Sequence, residues 1–204
     1  METIPTGKKL PRSFYKRNVI TVAQELLGKI LVRVENNNTY AGKIVEVEAY
    51  DGETDEAAHT YIGITERNKI MFGEGGFLYV YFTYGAHSCS NVVTGLKGKG
   101  TAVLIRALEP LAGIEEMGIN RFNKKSLTQK EILNLTSGPG KVCRALKIDR
   151  MLYGEDLTGD LIYILNALSI PESKIVVKKR IGIKKSIDLP WRFYIKDNPW
   201  VSKK

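Results

Sequence analysis

Histidine and cysteine are scarce in this chain, two of each in 204 residues. Cys89 and Cys143 are too few for a disulfide framework and lack metal-site spacing. Glu56-x-x-His59 is half of a helical metal motif, but His87 is the only other histidine, so the ligand set stays short and neither metal nor cofactor is expected. Long apolar runs are missing too. No stretch approaches the roughly 18 residues of a membrane span, and the opening M-E-T-I-P-T-G-K-K-L holds no apolar core of a secretory signal. The expectation is a protein without a membrane partner, not secreted, in a reducing compartment: the cytoplasm and nucleoid of a bacterium, or a eukaryotic nucleus. Repeats and low-complexity segments are absent. With 43% hydrophobic and 26% charged residues, the chain reads as one globular domain over 1–204, residues 1–10 forming a flexible tail.

Negative charge is the remaining shortage. Thirty-one Lys and Arg face 22 Asp and Glu, for a net +9. The excess lies at the ends: residues 1–20 carry +4, residues 171–204 carry +7, and the 150 between carry −2. Folded onto one face, the two ends would form a footprint for nucleic acid; left apart, they are solubilising tails.

Against that background, residues 46–59 read E-V-E-A-Y-D-G-E-T-D-E-A-A-H, with six carboxylates and no base. Phe77 to Tyr84 follows with five aromatics in eight residues. Gly42 to Tyr50 alternates as a strand, placing Ile44, Glu46, Glu48 and Tyr50 on one face and Val45, Val47 and Ala49 on the other. Glu48 is then either a desolvated general base, its pKa raised by burial, or a solvent-facing acid, the reading given to Glu46. Asp51, Glu53, Asp55 and Glu56 read as solvated or capping acids. Thr54 to His59 is expected as a short helical turn capped by Thr54.

Val19 to Leu27 reads as an amphipathic helix with Thr21 as its cap, followed by a strand over Lys29 to Val34. Tyr79 and Tyr81 share one face of the aromatic strand, Phe82 and Tyr84 the other. Tyr84, at a tip before Gly85, has the shape of a wedge entering a base stack. Thr101 to Leu108 is an apolar strand ended by Glu109-Pro110. Its single charge, Arg106, requires an acidic or phosphate partner, with Glu48 as the candidate. Asn91 is either a reader of a base edge or a turn residue. Gly113 to Asn120 and Gly140 to Lys147 read as helices, and a final strand pair falls near Ile175–Ile183 and Arg192–Ile195. Without regular βαβ spacing, the fold class is α+β around a curved, mostly antiparallel sheet.

V-E-V-E-A-Y, D-E-A-A-H, R-N-x-x-M-F (Arg67 to Phe72), L-Y-V-Y-x-x-Y-G (Leu78 to Gly85), L-I-R-A-L-E-P, S-G-P-G-K and N-P-W-V-S succeed one another from about residue 10 to residue 202. In this order they resemble the alkyladenine (3-methyladenine) DNA glycosylase family over nearly the whole chain. The resemblance implies a fold like the C-terminal domain of methionyl-tRNA formyltransferase, with short helices and a protruding β-hairpin. It also implies a monomeric, metal-free, monofunctional glycosylase of base excision repair acting on double-stranded DNA. Such an enzyme flips out alkylated purines (3-methyladenine, 7-methylguanine, with hypoxanthine and ethenoadenine as further candidates) and hydrolyses the N-glycosidic bond.

Residue by residue, the resemblance makes Glu48 the base that activates water. Arg106 and the Val201 carbonyl position that water. Tyr50 and His59 stack on one side of the flipped base and Tyr81 on the other. A main-chain group at His59 touches the base edge, Asn91 disfavours guanine, and Tyr84 fills the gap left in the duplex. Arg67 and Lys141 match backbone contacts. One departure is Ala86, where the family reads Met after Tyr-Gly. The chemistry agrees: a carboxylate stabilises an oxocarbenium-like sugar, a cationic purine leaves without much acid help, and a damaged base flips at lower cost. Two rival readings are a non-catalytic nucleic-acid-binding module of the same fold and a metal-dependent hydrolase using Glu56 and His59.

Overall fold

The computed structural model describes residues 5–83 and 87–203, without the side chain of Thr83. Its longest strand, β2 (Asn38–Asp51), is the spine of the sheet. On one edge β2 pairs first with β1 (Ile30–Glu35) and then, over residues 46–48, with β8 (Arg192–Ile195). On the other edge it pairs with β5 (Thr101–Ala112). Beyond β5 lie β4 (His87–Thr94) and β3 (Leu78–Thr83); β6 (Ile162–Leu165) flanks β1, and β7 (Ile175–Lys178) flanks β8. All these pairings are antiparallel. The result is a single α+β domain, a curled antiparallel sheet with short helices α1 (Arg12–Tyr15), α2 (Val19–Leu26), α3 (Ile114–Phe122), α4 (Gln129–Asn134) and α5 (Pro139–Ala145).

Hydrophobic period explains which face is core. In α2, Val19, Val22, Ala23 and Leu26 recur at helical spacing and are buried against Val47, Ala49, Val103, Ile105 and Val92 of the sheet. The opposite face carries Glu48, Leu104, Asn91 and Tyr79. These four stand in one lateral row, because register pairs Glu48 with Leu104, Leu104 with Asn91, and Asn91 with Tyr79.

The alternation in β2 is broken once. Register passes from Ile44↔Leu108 to Glu46↔Ala107, so Val45 is an extra residue, and from Glu46↔Ala107 to Val47↔Ile105, so Arg106 is another. Such bulges bend a strand and re-aim a side chain. Ile44 therefore joins Val47 and Ala49 in the core instead of sharing the Glu48 face, and Arg106 is turned toward the two glutamates. β5 also runs through Pro110, which pairs with Gly42 at a third register shift where a missing donor is tolerated. Gly42 is required there, since a Cβ would lie 2.9 Å from that of Leu108.

Other expectations change for local reasons. The cap of α2 is Asn18, whose side-chain Oδ1 accepts from Ile20 N at 2.9 Å and Thr21 N at 3.4 Å. Residues 54–59 form successive turns rather than a helix, and Asp55, not Thr54, accepts a local amide, that of Ala57. The strand after residue 174 stops at Lys178, and residues 179–188 form a loop. The expected tail is fastened from Lys8 onward: Leu10 N donates to Ile164 O and Asn166 N to Lys8 O, both at 2.8 Å. Asn91 lies within β4, buried, rather than at a turn. The hairpin tip with Tyr84 and Ala86 lies outside the described residues. No helix among the described residues is long and apolar enough to cross a membrane.

Candidate active site

Two carboxylates on β2 are completely buried, which demands partners. Glu48 Oε2 accepts from the Tyr50 hydroxyl at 2.9 Å and lies 3.2 Å from Arg106 Nη1; its Oε1 accepts from Ile181 N at 2.7 Å. Glu46 Oε1 takes Arg106 Nε at 3.2 Å and Arg192 Nε at 2.8 Å, and its Oε2 takes Ser202 N at 2.7 Å. Glu46 is thus no solvated acid, and Arg106 bridges both glutamates. Burial alone would lower the Arg106 pKa; Glu48 and then Glu46 beside it outweigh this and raise it. Burial, with Glu48 next to it, pushes the Tyr50 phenol well above its ordinary value, so its hydroxyl stays a donor.

Glu48 faces a cleft of about 770 Å³. Tyr50, His59, Tyr79, Tyr81 and Asn91 line it, with Met71 and Leu104 among the apolar lining. His59 Nδ1 is 2.9 Å from the Tyr79 hydroxyl, and its carbonyl accepts Asn68 Nδ2 at 2.8 Å. Burial, then the Arg67 charge, brings the His59 pKa down to about 4, so the imidazole is neutral at pH 7. Burial pushes Tyr79 up to about 12 and raises Tyr81 as well. These rings are uncharged walls.

His59 meets Tyr81 edge to face, centroids 4.5 Å apart at 77°. A base sandwiched between two rings needs about 7 Å or more, two carbon contacts of ~3.5–4.0 Å. His59 and Tyr81 stand too close to hold a base between them, and Tyr50 lines the same cleft. Asn91 donates Nδ2 to the Tyr79 carbonyl at 3.2 Å, which fixes its amide on the sheet. Arg67 is exposed, its guanidinium 5.2 Å from the Tyr81 centroid. Val201 does not line the cleft. It lines a separate cavity of about 250 Å³ with Tyr194 and Val176, while Ser202 reaches Glu46 and Arg106.

Positive charge at the cleft comes from α3, α5 and the loop after β7: Arg121, Lys141, Arg144, Lys184 and Lys185 line it. Arg121 Nη2 donates to Asn134 O, Lys141 Nζ to Asn134 Oδ1, and Arg144 Nε to Asn120 O. Among the described residues none of Arg121, Lys141 and Arg144 has a carboxylate partner. Four of the five N-terminal cations have acidic partners: Lys9 pairs with Asp160, Arg12 with Asp156, Lys16 with Glu74 and Arg17 with Glu25.

Sequence reasoning missed Glu46, Arg192 and the Asp55–Arg180 pair. Arg192 carried the signal that revealed Arg106, a lone cation in an apolar strand. Asp55 and Arg180 carried none. Among the described residues no cluster of three metal-ligating side chains exists, and the Glu56 carboxylate lies 3.5 Å from Lys185.

Comparison with known proteins gives a consistent result. Residues 13–199 match the family model described as methylpurine-DNA glycosylase (MPG). A protein of Alkaliphilus oremlandii named "Putative 3-methyladenine DNA glycosylase" is 50% identical over 202 residues, covering 96% of this chain and all of that protein. Proteins of the same name from Carboxydothermus hydrogenoformans and Clostridium novyi are 51% and 49% identical, covering 96% and 97% of this chain and 99% and 100% of their own.

Proposed function

Because the chain belongs to the methylpurine-DNA glycosylase family, and so is a DNA glycosylase for alkylated bases, we propose that it flips alkylated purines from duplex DNA and hydrolyses the N-glycosidic bond with water activated by Glu48. The observation that carries this reading is the row Glu48–Leu104–Asn91–Tyr79 on the cleft face. Strands stand about 4.8 Å apart, so Asn91 lies about 10 Å from Glu48, an interval that a purine and its glycosidic bond span.

The base enters between Tyr50 and the His59–Tyr81 wall, its far edge toward Asn91 and its C1′ toward Glu48. A carboxylate offers roughly four acceptor positions; Tyr50, Arg106 and Ile181 use three, leaving one on Oε1 for water. Arg106 holds the carboxylate in place, and Val201 acts at most through Ser202, its neighbour on Glu46 and Arg106. As the C1′–N bond breaks, its electron pair leaves with the purine, neutralising a 3- or 7-alkylated ring. The anion at Glu48 stabilises the oxocarbenium-like sugar and takes the proton as water adds to C1′. Neutral His59 suits a cationic base, which an imidazolium would repel. With Nδ2 committed to Tyr79, Asn91 opposes undamaged guanine by crowding its 2-amino group, a cost that the cationic ring of 7-methylguanine offsets through its attraction to the tyrosine faces. Arg67 and Lys141 bind phosphates, and Tyr84 fills the vacated stack. One chain supplies every group, consistent with a monomer.

The test is single-turnover incubation with a duplex holding one 7-methylguanine. Free base and an abasic site on an unbroken strand are expected, unaffected by exhaustive chelation. Binding without release, strand cleavage in the same step, or loss of activity on chelation would each overturn the proposal.

A further inference from the structure

Asp55 and Arg180 are 125 residues apart in sequence and meet as a bidentate pair, both side chains fully buried. Arg180 Nη2 donates to Asp55 Oδ1 at 2.7 Å and to Ser186 O at 3.3 Å; Nη1 donates to Asp55 Oδ2 and, at 3.0 Å, to Ala49 O. The guanidinium carbon lies 4.6 Å from the Tyr50 ring centroid and 5.5 Å from that of Trp191. Tyr50 lines the cleft and Arg180 does not, so the cation covers the ring face turned away from the base. The next residue, Ile181, gives its amide to Glu48 at 2.7 Å, and Ser186 Oγ accepts Glu56 N at 3.0 Å. One pair thus joins the loop of residues 179–188 to the turn that carries His59.

A cation behind an aromatic ring draws on the same electron density that would attract a cationic base in front of it. A base stacked on Tyr50 would lie about 8 Å from the guanidinium, where two like charges in an effective dielectric near 20 weaken binding by about ten-fold or more. The Asp55 carboxylate cancels that charge. We propose that the Asp55–Arg180 pair is a specificity-determining element: a neutral backing for Tyr50 that lets the ring stack on a cationic alkylated purine as well as on a neutral one. The inference rests on the glycosylase reading above. Asp55 and Arg180 are positioning residues, acting on the base through Tyr50.

The test compares two duplexes that differ by one charge and not by shape, with 7-methylguanine or its neutral isostere 7-methyl-7-deazaguanine. Equilibrium affinities are measured in a Glu48→Gln background, so that neither base is released. Adding Asp55→Asn lowers the cationic-to-neutral affinity ratio about ten-fold. Adding Arg180→Gln instead raises it, and both together return it to within about two-fold of the parent. Either single variant that melts cooperatively suffices, because the two shift the ratio in opposite senses. Equal losses for both duplexes, leaving every ratio at the parent value, would overturn the proposal and reduce the pair to a structural tie. A Glu48→Gln parent that binds neither duplex better than undamaged DNA would overturn the glycosylase reading, and this inference with it.

Discussion

Replacing Arg106 with methionine separates what the buried charges do for the fold from what they do for chemistry. Arg106 Nε and Nη1 each stand 3.2 Å from a carboxylate, and Glu46 and Glu48 are both completely buried. Without the guanidinium, Glu46 keeps Arg192 and the Ser202 amide, while Glu48 keeps only two neutral donors. Removing one partner of a buried ion pair costs about 3–5 kcal/mol, a large share of the roughly 5–15 kcal/mol that holds a domain together. At this chain length about 4 kcal/mol lowers Tm by about 8–16 °C. Glu48→Gln is a different perturbation: the amide oxygen still accepts from Tyr50 or Ile181, and Arg106 keeps Glu46. It should melt within a few degrees of wild type. Circular-dichroism melts at pH 7 of wild type, Arg106→Met, Glu48→Gln and the exposed control Glu66→Gln make the comparison. If Arg106→Met melts with Glu66→Gln, the network is not an electrostatic keystone and the reasoning fails.

Two further outcomes follow from the site. The His59 pKa is held down to about 4 against about 6.5 in an unfolded chain. The unfolded state therefore takes up a proton that the native state refuses, and stability falls as pH drops from about 6.5 toward 4, by up to about 3 kcal/mol. Urea titrations at several pH values should show this slope in wild type and not in His59→Gln; equal slopes would refute it. Duplex affinity should fall steeply with salt, and Lys141→Ala or Arg144→Ala should each reduce the log–log slope by about one. Lys16→Ala, whose cation already faces Glu74, should leave it unchanged; fluorescence anisotropy between low and moderate salt decides, and an equal loss for Lys16→Ala would place DNA on the N-terminal face.

How much was legible in the sequence depended on the range of the cause. Period two in residues 46–50 put Glu48 and Tyr50 on one face, and the structure keeps them there, because strand alternation is local. Ile44 was misplaced because the Val45 bulge is set by pairing with β5, which no local pattern records. A lone cation in an apolar strand pointed to Arg106. Asp55 looked like a capping acid and Arg180 like one base in a basic run, since partners 125 residues apart leave no shared pattern. Charge counting could not see that Asp160, Asp156, Glu74 and Glu25 stand opposite four of the five N-terminal bases.

The most direct measurement of the central claim is the single-turnover rate of 7-methylguanine release by Glu48→Gln beside wild type, with lesion affinity measured in parallel. Lesion binding should stay intact while the release rate falls by several orders of magnitude, since the amide neither takes a proton from water nor stabilises a cationic sugar. Release within ten-fold of wild type would contradict the claim.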